Sequence, residues 1–306
     1  LSEVLFSVVI ACYNQKDFVR ESVESALSQK HPSKEVIVVD DGSSDGTVDV
    51  LRTFGDSIKL AALPVNRGVG GSRNHGASLA SGKYLAFLDG DDVFMPWALE
   101  VYGHLVTSRS PVILLGQSAK CYGPVPVEPS TEPPRSVEYA EYDNFLAKDR
   151  HWVYNTSSLI VDGAAFLAAG GWSEDIFCQD IQDLLNKLGV AGRTVLVISP
   201  DTVWYRMHST NAVRKVTPFI KGIDTLLTKS KAGIYPGGQE ARIARSAWFG
   251  GLIFYWGIEA MRNGLLLEGF VLLVSSWRMI LLAVVRRLGA FVSGRKPVEV
   301  LSLGQN

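Results

Sequence analysis

The stretch Phe87-Leu88-Asp89-Gly90-Asp91-Asp92 decides how this chain reads. An apolar run that begins at Tyr84 is cut off by three carboxylates within four residues. Folding alone does not favour such crowding. Adjacent carboxylates repel one another, and strand ends tolerate them where a cation or a polar ligand offsets the charge. A second acidic knot, Asp40-Asp41-Gly42-Ser43-Ser44-Asp45-Gly46, follows the apolar run Val36 to Val39. Two strands that both end in carboxylates imply one cleft, and its charge implies a metal-bound phosphate compound.

Working outward, Leu5 to Ala11 is apolar enough for a strand buried on both faces. Phe18, Val19, Val23, Ala26 and Leu27 recur at helical spacing, and His31-Pro32 stops that helix. A helix over Thr47 to Phe54 and a strand over Lys59 to Leu63 follow. A glycine-rich loop spans Asn66 to Gly71, and a helix over Ser72 to Ala80 feeds the strand at Tyr84. Gly68-Val69-Gly70-Gly71 is a poor dinucleotide fingerprint, because it does not follow the first strand. The alternation predicts an α/β fold with a mostly parallel, doubly wound sheet flanked by helices. Such sheets bind ligands beyond the carboxyl ends of their strands, where both acidic knots fall.

Further on, five prolines between Tyr122 and Arg135 mark an irregular loop. Trp152 to Val161 reads as a strand, Gly163 to Ala169 as a helix closed by Gly170-Gly171, and Gln179 to Leu188 as a second helix. Thr194 to Ile198 reads as the last strand, before a polar segment, Trp204 to Asn211. From about residue 216 helix takes over. The expected division is a catalytic domain over 1–215, with a nucleotide half (about 1–95) and an acceptor half (about 96–215), then a helical region over 216–306.

Composition sets the bounds. The chain has 306 residues, 47% hydrophobic and 20% charged, as expected of a globular protein. A net charge of −1 argues against a general nucleic-acid binder. Three scattered cysteines, Cys12, Cys121 and Cys178, argue against a disulfide framework and favour a cytoplasmic setting.

Four blocks occur in order: Ser7-Val8-Val9-Ile10-Ala11-Cys12-Tyr13-Asn14; Val38 through Thr47; Asn66-Arg67-Gly68 through Arg73-Asn74 and on to Leu88-Asp89-Gly90-Asp91-Asp92; and Gly170-Gly171-Trp172 followed by Gln179-Asp180. In this set the chain resembles the family 2 glycosyltransferases, inverting enzymes with the GT-A (Rossmann-like) fold that use nucleotide-sugars. The likeness covers about residues 5 to 212. It implies transfer of a sugar from a UDP-sugar to a hydroxyl of a glycan or lipid-linked oligosaccharide, helped by a divalent metal, Mn2+ or Mg2+.

The resemblance also assigns roles. Ala11 and Tyr13 would wall the base, Asp41 would accept from the pyrimidine, and Asn66, Arg73 and Asp89 would contact the nucleotide. Asp40 would assist the ribose or hold its loop. Asp91 matches the metal-ligating carboxylate of the Asp-x-Asp motif, and Asp92 would support the metal or the sugar. The plain alternative for these acids is a cap on the next helix, and for Arg73 a surface salt bridge. His208 in Tyr205-Arg206-Met207-His208-Ser209-Thr210-Asn211 would approach the metal, with Arg206 beside it. Asp180 would be the general base, with Asp183 in reserve; Gln179 stands where the family usually has Glu. A nucleotidyltransferase would need a glycine- and lysine-rich phosphate loop near the first strand, and none is present. The rival of another class is an inactive sugar-nucleotide-binding or scaffold protein of the same fold.

The carboxyl-terminal third carries no catalytic motif. Leu265 to Leu288 is apolar around most of a helical wheel, and Arg278, Arg286, Arg287, Arg295 and Lys296 are uninterrupted by acids. That pattern fits a helix lying on an anionic membrane, on the inner face of the cell membrane, or one packed on the protein. A processive synthase is not expected: Gln239-Glu240-Ala241-Arg242 lacks the Trp that completes the family's processivity motif.

Overall fold

Strand β1 (Phe6–Cys12) is buried at every residue, which explains its unbroken apolar sequence. It runs parallel to β2 (Lys34–Asp40) on one side and to β4 (Tyr84–Asp89) on the other, and β3 (Lys59–Ala62) extends the sheet beyond β2. The register pairs Cys12 with Asp40 and Ala11 with Asp89, so three strands end at the same level. The order β3-β2-β1-β4 places a reversal of winding between β1 and β4. A crevice opens there in sheets of this kind. Helices α1 (Val19–Leu27), α2 (Thr47–Arg52) and α3 (Gly68–Ser78) make the crossovers. The computed structural model describes residues 6–126, 134–148, 154–209, 216–292 and 294–303.

Beyond β4 the sheet becomes mixed. Short β5 (Val93–Phe94), β6 (Ile113–Tyr122), β7 (Ser136–Tyr142), β8 (Leu159–Asp162) and β9 (Thr194–Met207) follow, with β10 (Glu299–Ser302) at the far edge. The path is β10-β7-β9-β6-β8-β4-β1-β2-β3, and β5 pairs with β9. Helix α4 (Ala98–Arg109) lies between β5 and β6, and α5 (Gly163–Ala168) and α6 (Asp180–Lys187) precede β9. One face of the sheet packs Val8, Ile10 and Leu88 with Val23, Leu99 and Tyr102. The other packs Val9, Phe87 and Leu115 with Phe166, Trp172 and Leu184. This is the α/β architecture expected, with a mostly parallel central sheet flanked by helices.

Several boundaries differ from the sequence expectation. Helix α3 begins at Gly68, so the glycine-rich loop is mostly helix. Its glycines serve close packing: a Cβ on Gly70 would sit 2.6 Å from the Ser173 carbonyl oxygen. The expected strand over Trp152 to Val161 is only Leu159–Asp162, preceded by a 3-10 turn, Thr156–Ser158, that the Asn155 side chain caps. Trp152 and Val153, like most of the proline-rich loop, lie outside the described residues. Strand β9 continues nine residues past Ile198, to Met207, because its pairing with β6 resumes beyond a bulge at Leu115/Gln117.

The last third forms α7 (Val216–Lys231), α8 (Gly238–Arg262), α9 (Leu266–Ser275) and α10 (Trp277–Val292). Ile223, Leu226, Phe249, Ile253 and Trp256 make its core. The single helix expected over Leu265 to Leu288 is broken at Ser276 and bent by 69°. No single helix among the described residues is long and apolar enough to cross a membrane; α9 and α10 pass that test only as the bent pair. Nor is the region wholly helical, since β10 adds an antiparallel strand to β7.

Candidate active site

The crevice between β1 and β4 deepens into a cavity of about 1270 Å3 that reaches the carboxyl-terminal helices. Ala11, Tyr13, Asp41, Asn66, Arg73, Asp89, Asp91, Gln179, Asp180 and His208 all line it. Asp40, Asp92, Asp183 and Arg206 do not. The resemblance assigned the first group direct contacts, apart from Gln179, and the second group is structural here.

Asp41 follows β2. Its backbone N–H donates to the Cys12 carbonyl, and its Oδ1 accepts from the Arg67 N–H at 2.8 Å. Oδ2 is left toward the cavity. Gly42 turns the chain at φ +76, against the Val65–Asn66 backbone, where a side chain would be strained. Asp40 points the other way and accepts from Ser43 N–H at 2.9 Å, so it holds the loop.

Arg73 is the centre of charge. It sits on α3, is 4% exposed, and stacks on Trp172 at 4.7 Å. Its Nη2 donates to Asp89 Oδ1 at 2.6 Å, and its Nη1 donates to Asp180 Oδ2. Neither a nucleotide contact nor a surface salt bridge describes it: the guanidinium fork clamps two cavity carboxylates from α3, β4 and α6 together. Burial pushes the Asp89 carboxyl above its usual value; Arg73 opposes that rise and Asp91 adds to it. Asp180 stands at the first position of α6, where the helix N-terminus favours negative charge. Gln179 before it is buried, and its Nε2 has no hydrogen-bond partner among the described residues.

Asp91 Oδ2 lies 2.8 Å from His208 Nε2, and the imidazole stacks on Phe18 at 4.7 Å. Among the described residues no cluster of three or more His, Cys, Asp or Glu is placed to hold a metal by itself. Asp92 is turned inward. It accepts from the Arg206 N–H at 3.0 Å and from Ser157 Oγ, and burial, then Asp91 and Asp89, push its carboxyl well above the usual range. It therefore neither faces a sugar nor caps α4, which begins at Ala98 with no side-chain cap. Arg206 ties Glu21 (2.6 Å) to the Asp91 carbonyl (2.9 Å), fixing the acidic turn from behind. Thr210 and Asn211 of its motif lie outside the described residues.

Asp183 is held by Ser173 Oγ at 2.6 Å, Tyr235 Oη at 2.7 Å and Lys187 Nζ at 3.3 Å. Burial works against its charge, but these donors keep its pKa below the usual value. It braces α6 against the segment joining α7 to α8 and is no reserve base. Missing from the sequence expectation was the cavity's other wall: Phe145, Lys148, Tyr154, Trp248, Tyr255, Trp256, Arg286 and Arg287. The spacing of Trp248, Leu252, Tyr255 and Trp256 on one face of α8 was the available signal.

The model of glycosyl transferase family 2 matches residues 7–167. TuaG of Bacillus subtilis, named for teichuronic acid biosynthesis, is 34% identical over 139 residues, 44% of this chain and 55% of TuaG. WfaP of Escherichia coli, named as a UDP-Glc:α-D-GlcNAc-diphosphoundecaprenol β-1,3-glucosyltransferase, is 42% identical over 93 residues, 30% of this chain and 37% of WfaP. The matches thus span about half or less of these relatives. The Staphylococcus aureus TarS structure with UDP-GlcNAc superposes with a TM-score of 0.67 at 16% identity, covering 89% of this chain and 79% of that one. That likeness speaks to the fold.

Proposed function

This chain belongs to glycosyl transferase family 2, and we propose that it moves a sugar, with inversion, from a UDP-sugar to a hydroxyl of a glycan or lipid-linked acceptor in polysaccharide biosynthesis. The carrying observation is that one cavity brings together Tyr13 and Asp41 at the β1/β2 end, Asp89 and Asp91 at the end of β4, and Asp180 at the head of α6. The UDP-GlcNAc bound by TarS and the donor named for WfaP support the choice of donor.

In this reading Tyr13 and Ala11 flank the base, and Asp41 Oδ2 accepts from the pyrimidine N–H. Asp180 takes the proton of the acceptor hydroxyl as its oxygen bonds to the anomeric carbon and the bond to the diphosphate oxygen breaks. Such general-base help is worth about 10²–10⁴ in rate. Arg73 positions both carboxylates and keeps their charges from repelling each other. The orphaned Gln179 Nε2 is at hand for an acceptor oxygen.

Asp91 and His208 fit a divalent ion that completes its shell with substrate phosphate, as hard cations held by few protein ligands do. When bound, such an ion stabilises negative charge on the departing diphosphate. At the outer surface, Leu267, Phe270, Val274, Leu281, Val285 and Leu288 are more than half exposed. Arg278, Arg287 and Arg295 accompany them, and we read this face as the one that rests on an anionic membrane.

A thermal-shift panel of nucleotides and nucleotide-sugars tests the donor reading. Ligand at a hundred times its Kd stabilises by about 2.7 kcal/mol. UDP and a UDP-sugar should raise the midpoint, more so with manganese, and D91N should lose the manganese increment. Equal response to every nucleotide, or to none, contradicts the reading.

A further inference from the structure

The far wall of the cavity holds a cation without a counter-charge. The Lys148 ammonium lies 4.5 Å from the ring centre of Phe145, 5.0 Å from Tyr154 and 5.5 Å from Trp248. No carboxylate among the described residues pairs with it. The cavity's acids are Asp41, Asp89, Asp91 and Asp180, all on the donor side described above. The nearby Arg286 guanidinium is spent on main-chain carbonyls, donating to Ala244 O at 3.1 Å, to Lys148 O at 2.8 Å and to Leu146 O. Arg287, next on α10, is exposed and lines the same lobe.

Two cations and three aromatic rings in a water-poor lobe leave positive charge unmatched, a costly arrangement unless a ligand brings the anion. Burial, with Arg286 adding repulsion, lowers the Lys148 pKa to about 7, as expected of an ammonium lacking its counter-ion. The cavity also exceeds the about 300–1,000 Å3 that one small-molecule ligand uses. A second substrate therefore has room beside the nucleotide-sugar.

We propose that this lobe is the acceptor subsite, and that it takes a diphosphate-linked sugar carried on a hydrophobic alcohol, with Lys148 and Arg287 on the diphosphate. The assignment deepens, and rests on, the transferase reading above. Tyr154 fixes the distance to the chemistry: its Oη donates to Gln182 Oε1 at 2.8 Å, two residues along α6 from Asp180. A diphosphate against Lys148 is thus placed to present its own sugar to the base. Helix α10 explains the hydrophobic alcohol. Ala283, Arg286 and Arg287 face the cavity, while Leu281, Val284, Val285 and Leu288 on the same helix are exposed. A chain leaving the lobe along α10 passes straight onto the apolar outer face.

Decyl diphosphate, titrated by calorimetry into the full chain saturated with UDP, tests the subsite apart from the donor site. Decyl glucoside is the uncharged control, and UDP affinity is measured on every variant. Each lost hydrogen bond to a charged group corresponds to about a tenfold to hundredfold change. K148M and R287M should each weaken decyl diphosphate by that factor, leave decyl glucoside unchanged, and keep the UDP affinity of the native chain. K148R should retain most of the binding. Unchanged decyl diphosphate affinity in both variants overturns the proposal, as does native binding no tighter than that of decyl glucoside. Failure of the native chain to bind UDP, with decyl diphosphate binding still sensitive to K148M, would sink the donor reading and uphold the anion subsite.

Discussion

Replacing Arg73 with methionine removes the one cation that joins Asp89 to Asp180. The guanidinium is almost wholly buried and donates to both carboxylates. Removing one partner of a buried ion pair costs about 3–5 kcal/mol, because the remaining charge is left in a low-dielectric site. Asp89 keeps 27% of its side chain exposed, so water recovers part of the loss and the two broken pairs do not simply add. We expect R73M to lose about 3–5 kcal/mol at pH 8. Burial raises the Asp89 pKa already, and deleting Arg73 removes the attraction that opposed the rise. The folded variant then binds a proton more readily than the unfolded chain does. Its deficit is complete above the folded pKa and shrinks as pH falls through it. Urea unfolding followed by tryptophan fluorescence, at pH 8 and pH 5.5, measures both quantities. Turnover should drop about a hundredfold as well, the cost of a base displaced by an ångström. A deficit under about 1 kcal/mol, or one identical at the two pH values, refutes the clamp.

Glu35 gives a second stability test. Burial opposes its charge, yet Lys59, Ser7 and Ser81 hold its pKa down from 4.5 to about 2, worth roughly 3 kcal/mol. E35Q should be destabilised by up to that amount at pH 7, and the gap to the native protein should close as pH falls below 4.5 toward 2; a constant gap in acid unfolding argues otherwise. For Lys148, decyl diphosphate affinity should weaken as pH rises through about 7 and the ammonium is lost. The groups facing it are Arg286 and Arg287 of α10, the rings of Phe145 and Trp248, and the Tyr154 phenol, whose pKa burial raises, so calorimetry on K148R should show no such loss. Thiol labelling should single out Cys178, which lines the cavity, and UDP-sugar should slow it; Cys12, whose thiol burial and then Asp40 push well up, should resist a maleimide in the native state. On the outer face, V285D or L288D should reduce co-sedimentation with anionic vesicles about tenfold, since burying one such side chain is worth about 1.5–3 kcal/mol. Sedimentation equal to that of the native chain would remove the membrane face.

What could be read from the chain was local. The uninterrupted apolar runs at β1, β2 and β4, and the acids that end them, carry their meaning within a few residues, so the sheet and the crevice were visible in advance. The clamp was not, because Arg73 and Asp180 are 107 positions apart and only the packing of α3 against α6 brings them together. Asp91 and Asp92 are neighbours with opposite fates. A turn follows β4, and nothing in the acidic string says that Asp92 goes inward to Ser157 while Asp91 turns to His208. Gly68 to Gly71 looked like a loop because glycine favours loops, but tertiary packing at Ser173 selected it inside a helix. Helical periodicity continued through Ser275-Ser276 without announcing the 69° bend that folds α10 over the cavity. Lys148 belongs to no motif; its cage is assembled from Phe145, Tyr154 and Trp248 across three separate segments.

The most direct measurement is sugar transfer by D180N, with UDP affinity determined on the same preparation. The carboxamide keeps the shape of Asp180 while giving up its capacity to accept the acceptor's proton at useful strength. Turnover should fall by about 10²–10⁴ while UDP binds as it does to the native chain. Undiminished transfer by D180N would contradict the account at its centre.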